Sequence, residues 1–162
     1  MSEENITDDA QELAAGAGMP PLVINGQYTK DLSFESPNSP VIFTRMAAPP
    51  EVKLDLHVEA ERIGENAYEV VLLIQAEART PEMTAFMVEL KYAAVCSVNL
   101  PEEHVKPATL IEVPRMIFPF ARNIIADVTR DGGFPPLLVQ PPDFAGLFRK
   151  MQLADQPSKG SA

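Results

Sequence analysis

The sequence predicts an α+β domain: a four-stranded antiparallel sheet, a meander with a crossover after its first strand, followed by two helices. Three observations predict it. Segments between Val52 and Val98 alternate apolar and polar residues with period two and are joined by short turns. A proline-rich stretch separates them from an earlier alternating segment. After Pro114 the apolar period becomes helical.

The first strand is read from Tyr28, in YTKDLSFES, with Leu32 and Phe34 on one face and Asp31, Ser33 and Glu35 on the other. Pro37 and Pro40 interrupt it, and the stretch through Pro49 and Pro50 is an irregular crossover. From Val52 to about Ile63, Val52, Leu54, Leu56 and Val58 oppose Lys53, Asp55, His57 and Glu59. Gly64-Glu65-Asn66 turns the chain into a third strand, Tyr68 to Arg79, with Tyr68, Val70, Leu72, Ile74 and Ala76 facing inward. Thr80-Pro81-Glu82 turns it again. In the fourth strand, about Met83 to Val98, Phe86, Val88, Leu90, Tyr92 and Ala94 point one way, and Met87, Glu89 and Lys91 the other.

Met116, Ile117, Phe120, Ala121, Ile124, Ile125 and Val128 form a wide stripe on a helix spanning residues 115–131. Pro119 belongs in its first turn or at a kink, and Gly132-Gly133 ends it. A second helix, about Asp143 to Leu153, repeats Phe144, Leu147, Phe148 and Met151 at i, i+3, i+4 and i+7, with Asp143 as its cap. Residues 1–27 read as a mobile acidic tail, 28–153 as the domain, and 154–162 as a flexible end.

The formal net charge of −10 leaves no basic stripe with which to neutralise phosphates, so nucleic acid is not an expected partner. The acidic N-terminus lacks a basic segment before an apolar run and does not read as a signal peptide. Apolar runs such as YEVVLLI are too short to cross a bilayer, so no membrane insertion is expected. The single cysteine, Cys96, lies mid-strand on the inward register with Ala94 and Val98, as a buried structural thiol does. A cytoplasmic location follows most simply. His57 and His104 have no spacing for a triad or a metal, and no nucleotide-binding or hydrolase motif is present. The expectation is a binding protein without catalytic residues, metal or cofactor.

Apolar side chains occupy both faces of the third and fourth strands, and the long helix carries more apolar width than one small sheet covers. Surplus of that kind is covered by oligomerisation, by an apolar ligand, or by both.

Six blocks in order, YTKDLSFESPNSP, PPEVKLDL, YEVVLLIQAEA, TAFMVELKYAAVCSV, IFPFARNIIADVTRDGGFPPL and PPDFAGLFRKM, resemble the SecB family of protein-export chaperones from Tyr28 to Met151. The resemblance implies a homotetramer, a dimer of dimers with the long helices between two sheets. It implies a holdase that binds unfolded preproteins and delivers them to the SecA motor. At matching positions it puts SecA contacts at Asp31, Glu35, Met87 and Glu89. It puts tetramer contacts at Val88, Leu90, Tyr92, Phe120 and Ile124, although Tyr92 is larger and more apolar than the family's usual polar residue. Candidates for the client groove are Phe43, Phe86, Phe144, Leu147, Phe148 and Met151, flanking the sheet from the crossover and the last helix. Residues 99–112 match the family poorly and read as a variable loop. Two other readings are a SecB-like chaperone for a toxin–antitoxin pair and a small-ligand-binding β protein.

Overall fold

The computed structural model describes residues 18–155. The chain order is β1 (Leu22–Glu35), α1 (Val41–Arg45), β2 (Glu51–Gly64), β3 (Ala67–Arg79) and β4 (Thr84–Val98), then α2 (Glu102–Pro107), a π turn (Ala108–Glu112), α3 (Val113–Asp131) and α4 (Phe144–Asp155). The strands form one antiparallel sheet in the order β1-β4-β3-β2. Residues 36–50 therefore carry the chain from one sheet edge to the other. Their start is tied to β4: the Asn38 side-chain amide donates to the Thr84 carbonyl at 2.8 Å, and the Ser36 hydroxyl to the Ala85 carbonyl at 3.3 Å.

Period two makes the sheet two-faced. Leu32, Leu90, Ile74 and Leu56 form one inward row across all four strands, fully buried at the two central ones. Helix α3 lies over β3 and β4 and buries Ile117, Phe118, Ala121 and Ile125 against this face. An aromatic chain closes one end of the core. Phe34 stacks on Phe86 with centroids 5.9 Å apart, Phe86 meets Phe134 at 5.0 Å, and Phe134 meets Phe43 at 5.2 Å.

The local signals account for the helix ends. Gly133 adopts φ +91° beyond α3; its N–H donates to the Arg130 carbonyl and the Phe134 N–H to the Thr129 carbonyl, the paired bonds of a left-handed C-terminal cap. Buried Thr129 continues the closure: its hydroxyl donates to the Ile125 carbonyl and accepts the Leu137 N–H, each at 2.9 Å. At α4 the Asp143 carboxylate accepts the Gly146 N–H at 3.0 Å, a side-chain N-cap.

Several expectations change; the crossover read as irregular carries the short helix α1 at Val41–Arg45. The first strand begins at Leu22 rather than Tyr28, so residues 22–27 belong to the sheet. Ala154 and Asp155 belong to α4. Residues 18–21 form no regular element, and the rest of both expected tails, residues 1–17 and 156–162, lies outside the described residues.

The last change is larger. Residues 102–112, expected as a loop containing His104, are helical and run directly into α3. Val105, Ala108 and Thr109 supply a buried stripe there. Glu102 and Glu103 favour the positive end of the helix dipole. Pro107 and Pro114 each remove a backbone donor, and between them the ladder widens to a π turn in which the Val113 N–H reaches the Ala108 carbonyl. Pro119 consequently lies in the interior of a helix that starts well before it, not in a first turn.

Candidate functional site

The sheet face opposite α3 is open. Cα pairing defines its rows: Asp31–Lys91–Leu73–His57, then Ser33–Glu89–Gln75–Asp55, then Glu35–Met87–Glu77–Lys53. Asp31, Glu35, Met87 and Glu89 thus occupy adjoining positions on one outward face, contributed by neighbouring strands β1 and β4. Met87 is 37% exposed, Asp31 and Glu35 are exposed, and Glu89 is half-buried. A surface depression of about 320 Å³ is centred here, between Glu35, Met87 and Glu89 on one side and Lys53, Asp55 and Glu77 on the other. Glu77 pairs with Arg79 at 3.2 Å, whereas Asp31, Glu35, Asp55 and Glu89 take no ion pair among the described residues. Unpaired carboxylates around an exposed thioether suit a basic partner with an apolar anchor.

Sequence reasoning missed the contribution of β2 and β3 to this face. Lys53, Asp55, Gln75 and Glu77 have the right alternation, but only the strand order pairs Gln75 and Glu77 with Glu89 and Met87 and brings Lys53 and Asp55 to the same depression.

One end of the same face carries a polar cluster. The Lys30 ammonium donates to Glu69 Oε1 at 2.6 Å, and the Tyr28 hydroxyl donates to Glu69 Oε2. These two hydrogen bonds, Lys30 first, hold the Glu69 carboxyl below the usual carboxylate range.

The residues expected at a tetramer interface divide between two layers. Val88, Leu90 and Tyr92 are buried beneath α3 in the core of the single chain. Phe120, 51% exposed, and half-buried Ile124 lie with exposed Met116 and half-buried Val128 at successive i+4 positions on another side of α3.

The expected groove residues do not form one surface. Phe86 and Phe144 are core residues, each 3% exposed, and Phe144 meets Phe118 edge-on at 6.0 Å. Their i, i+4 and alternation patterns are those of core as much as of ligand sites. Phe43 is half-exposed against Phe134 at the crossover. Phe148 and Met151 line a groove of about 700 Å³ with Val58 of β2 and with Val105 and Leu110 of the α2–π segment. Leu147 and Met151 border a smaller recess with Leu56 and Val58.

Cys96 is fully buried, and burial pushes its thiol up. His57 and His104 are exposed. Among the described residues no three His, Cys, Asp or Glu side chains converge to hold a metal ion, and no helix is long and apolar enough to cross a membrane.

An open acidic face and apolar grooves flanking a helix-covered sheet are surfaces for binding. Residues 15–155 match the family model for preprotein translocase subunit SecB. The chain is 52% identical over 156 residues to the protein-export protein SecB of Rhodospirillum rubrum, covering 96% of this chain and 93% of that one. It is 49% identical over 145 residues to the protein-export protein SecB of Paramagnetospirillum magneticum, covering 89% and 94%. The chain belongs to the SecB family of protein-export chaperones. In fold it is similar to the SecB-like chaperone of Mycobacterium tuberculosis, solved in complex with a ChAD peptide from the HigA1 antitoxin. That match has a TM-score of 0.59 and 16% identity and covers 82% of this chain and 95% of that one.

Proposed function

We propose that this protein is a cytoplasmic export holdase: a homotetramer, arranged as a dimer of dimers, that binds unfolded preproteins and delivers them to SecA. The observation that carries the reading is the outward grouping of Asp31, Glu35, Met87 and Glu89 across the β1–β4 pair, with no ion pair to these carboxylates among the described residues. A basic segment of SecA is the partner chemistry that such a face suits.

The other surfaces are consistent with this work. The stripe of Met116, Phe120, Ile124 and Val128 needs cover, and a second copy supplies it by laying α3 between two sheets. The groove lined by Val58, Val105, Leu110, Phe148 and Met151 offers adaptable apolar contact to an extended client. Binding only the unfolded form of a client lowers the population able to fold, by mass action and without hydrolysis.

The test pairs native mass with titration. A complex of four 17.7 kDa chains should bind an unfolded precursor but not its folded form. Glu89→Lys should abolish SecA binding while leaving that mass and client binding intact, and the wild-type affinity should fall as salt rises. Wild-type SecA affinity in Glu89→Lys would sink the assignment of this face.

A chaperone for an antitoxin is the second reading, favoured by the peptide complex formed by the mycobacterial protein of similar fold. It predicts client binding with no SecA affinity. A small-ligand carrier is less suited to this fold, because α3 fills the inner face of the sheet where a cavity would lie.

A further inference from the structure

Strand β1 pairs with β4 through two register shifts, one between Ile24 and Gly26 and one between Thr29 and Asp31. Each inserts one extra residue, Asn25 and Lys30, and each extra residue bonds across the sheet. Asn25 Nδ2 donates to Ser97 Oγ at 2.7 Å, and Lys30 Nζ to Glu69 Oε1 at 2.6 Å.

The second shift decides what the outer face contains. Tyr28 and Asp31 are an odd number of residues apart, so an unbroken strand would send them to opposite faces. With Lys30 bulged, Tyr28 pairs with Ala93 and Asp31 with Lys91, both on the outer face. Ser33 and Glu35 follow outward, while Leu32 and Phe34 turn toward α3.

Glu69 is positioned to hold this arrangement. It lies on β3, beyond β4, yet its carboxylate takes Tyr28 on one oxygen and Lys30 on the other, one group on each side of Thr29. Glu69 pairs with Val95 and Tyr28 with Ala93, so the span crosses β4 between these outer-face positions, and Ala93 and the neighbouring Val71 are buried (0% and 7% exposed). The Glu69 side chain is 15% exposed and that of Lys30 45%, so the carboxylate, held from two sides, is the better shielded partner of the pair.

We infer that Glu69 is a positioning residue: by clasping Tyr28 and Lys30 it fixes the bulge at Lys30 and keeps Asp31 and Glu35 on the face that carries Met87 and Glu89. The effect on partner binding rests on the reading of that face as the SecA surface; the effect on strand register does not.

The experiment compares the full-length wild type with Glu69→Leu, which keeps an apolar side chain beside Val71 on the same face of β3. Amide hydrogen exchange is followed across β1, and SecA affinity is measured beside it. Exchange should accelerate at Asp31–Glu35, and SecA affinity should fall about tenfold, the loss expected from a charge-assisted hydrogen-bond pair. Native mass and unfolded-client binding should stay at wild-type values. The charge-exchanged pair Lys30→Glu with Glu69→Lys should recover both properties. If Glu69→Leu does not assemble, Lys30→Met is read by the same criteria.

Unchanged exchange at Asp31–Glu35 overturns the clasp. Faster exchange with wild-type SecA affinity, where Glu89→Lys abolishes binding, overturns its role in presenting the carboxylates. If Glu89→Lys also binds SecA normally, the docking reading falls separately, and exchange alone decides whether the clasp holds the register.

Discussion

The ring of Phe34 in β1 points end-on at Gly132, the residue that closes α3, and occupies the space where a Cβ would stand. Gly132 has φ −73°, so its lack of a side chain serves this contact rather than an unusual backbone. The contact joins the edge strand of the proposed docking face to the end of the long helix. It also sets the first member of the aromatic chain that continues through Phe86 and Phe134.

Gly132→Ala should therefore destabilise the fold by about 1–3 kcal/mol, the usual cost of overpacking. Phe34→Leu should recover part of that loss in the double variant, because the two residues share one space. Urea unfolding midpoints of the four proteins in the cycle check the coupling; additive losses would contradict it.

Phe86→Ala should cost about 3–5 kcal/mol, since the ring is buried between two aromatic neighbours. Phe148→Ala, on the groove wall and half-buried, should cost less stability and weaken binding of an unfolded client more. Denaturation and client titration on both variants separate core from groove. A client defect confined to Phe86→Ala at wild-type stability would reverse the two roles.

Thr129→Val removes the acceptor of the Leu137 N–H in a fully buried position. The expected loss is about 1–3 kcal/mol for an orphaned donor. Faster hydrogen exchange at the Leu137 amide is the local signature to measure.

Phe120→Asp puts a charge on the exposed part of the apolar stripe of α3, beside Met116. The chain should keep its circular dichroism spectrum while native mass falls below that of the proposed tetramer. An unchanged mass would remove Phe120 from the interface.

Acid should weaken the Glu69 clasp in a defined window. The folded-state carboxyl is held low, chiefly by Lys30 and then by Tyr28, so its stabilisation is complete above the unfolded value of about 4.3 and fades as pH falls through the lower folded value. The stability difference between wild type and Glu69→Gln should accordingly be level near neutrality and shrink only at acid pH. A difference that grows on acidification contradicts this sign.

Much of the site was legible because a strand's two faces are local properties. Alternation assigned Asp31 and Glu35 to one side of β1 and Met87 and Glu89 to one side of β4 before any pairing was known. The missed elements were those in which local rules compete. The start of β1 at Leu22 was hidden because the bulges at Asn25 and Lys30 break the alternation. The helix at 102–112 was hidden because Pro107 and Pro114 read as breakers, while its buried stripe is short.

The SecB family membership, the four strands and the long helix were thus determined by sequence alone, through motif order and periodicity. Tertiary structure decided which faces meet. The order β1-β4-β3-β2 set Glu77 beside Met87 and brought Asp55 to the same depression, and packing in the core consigned Phe86 and Phe144 to the interior. The bulge clasped by Glu69 turned Tyr28 and Asp31 to the same side. The physical reason is range: periodicity is written in neighbouring residues, whereas register and burial depend on partners far away in the chain.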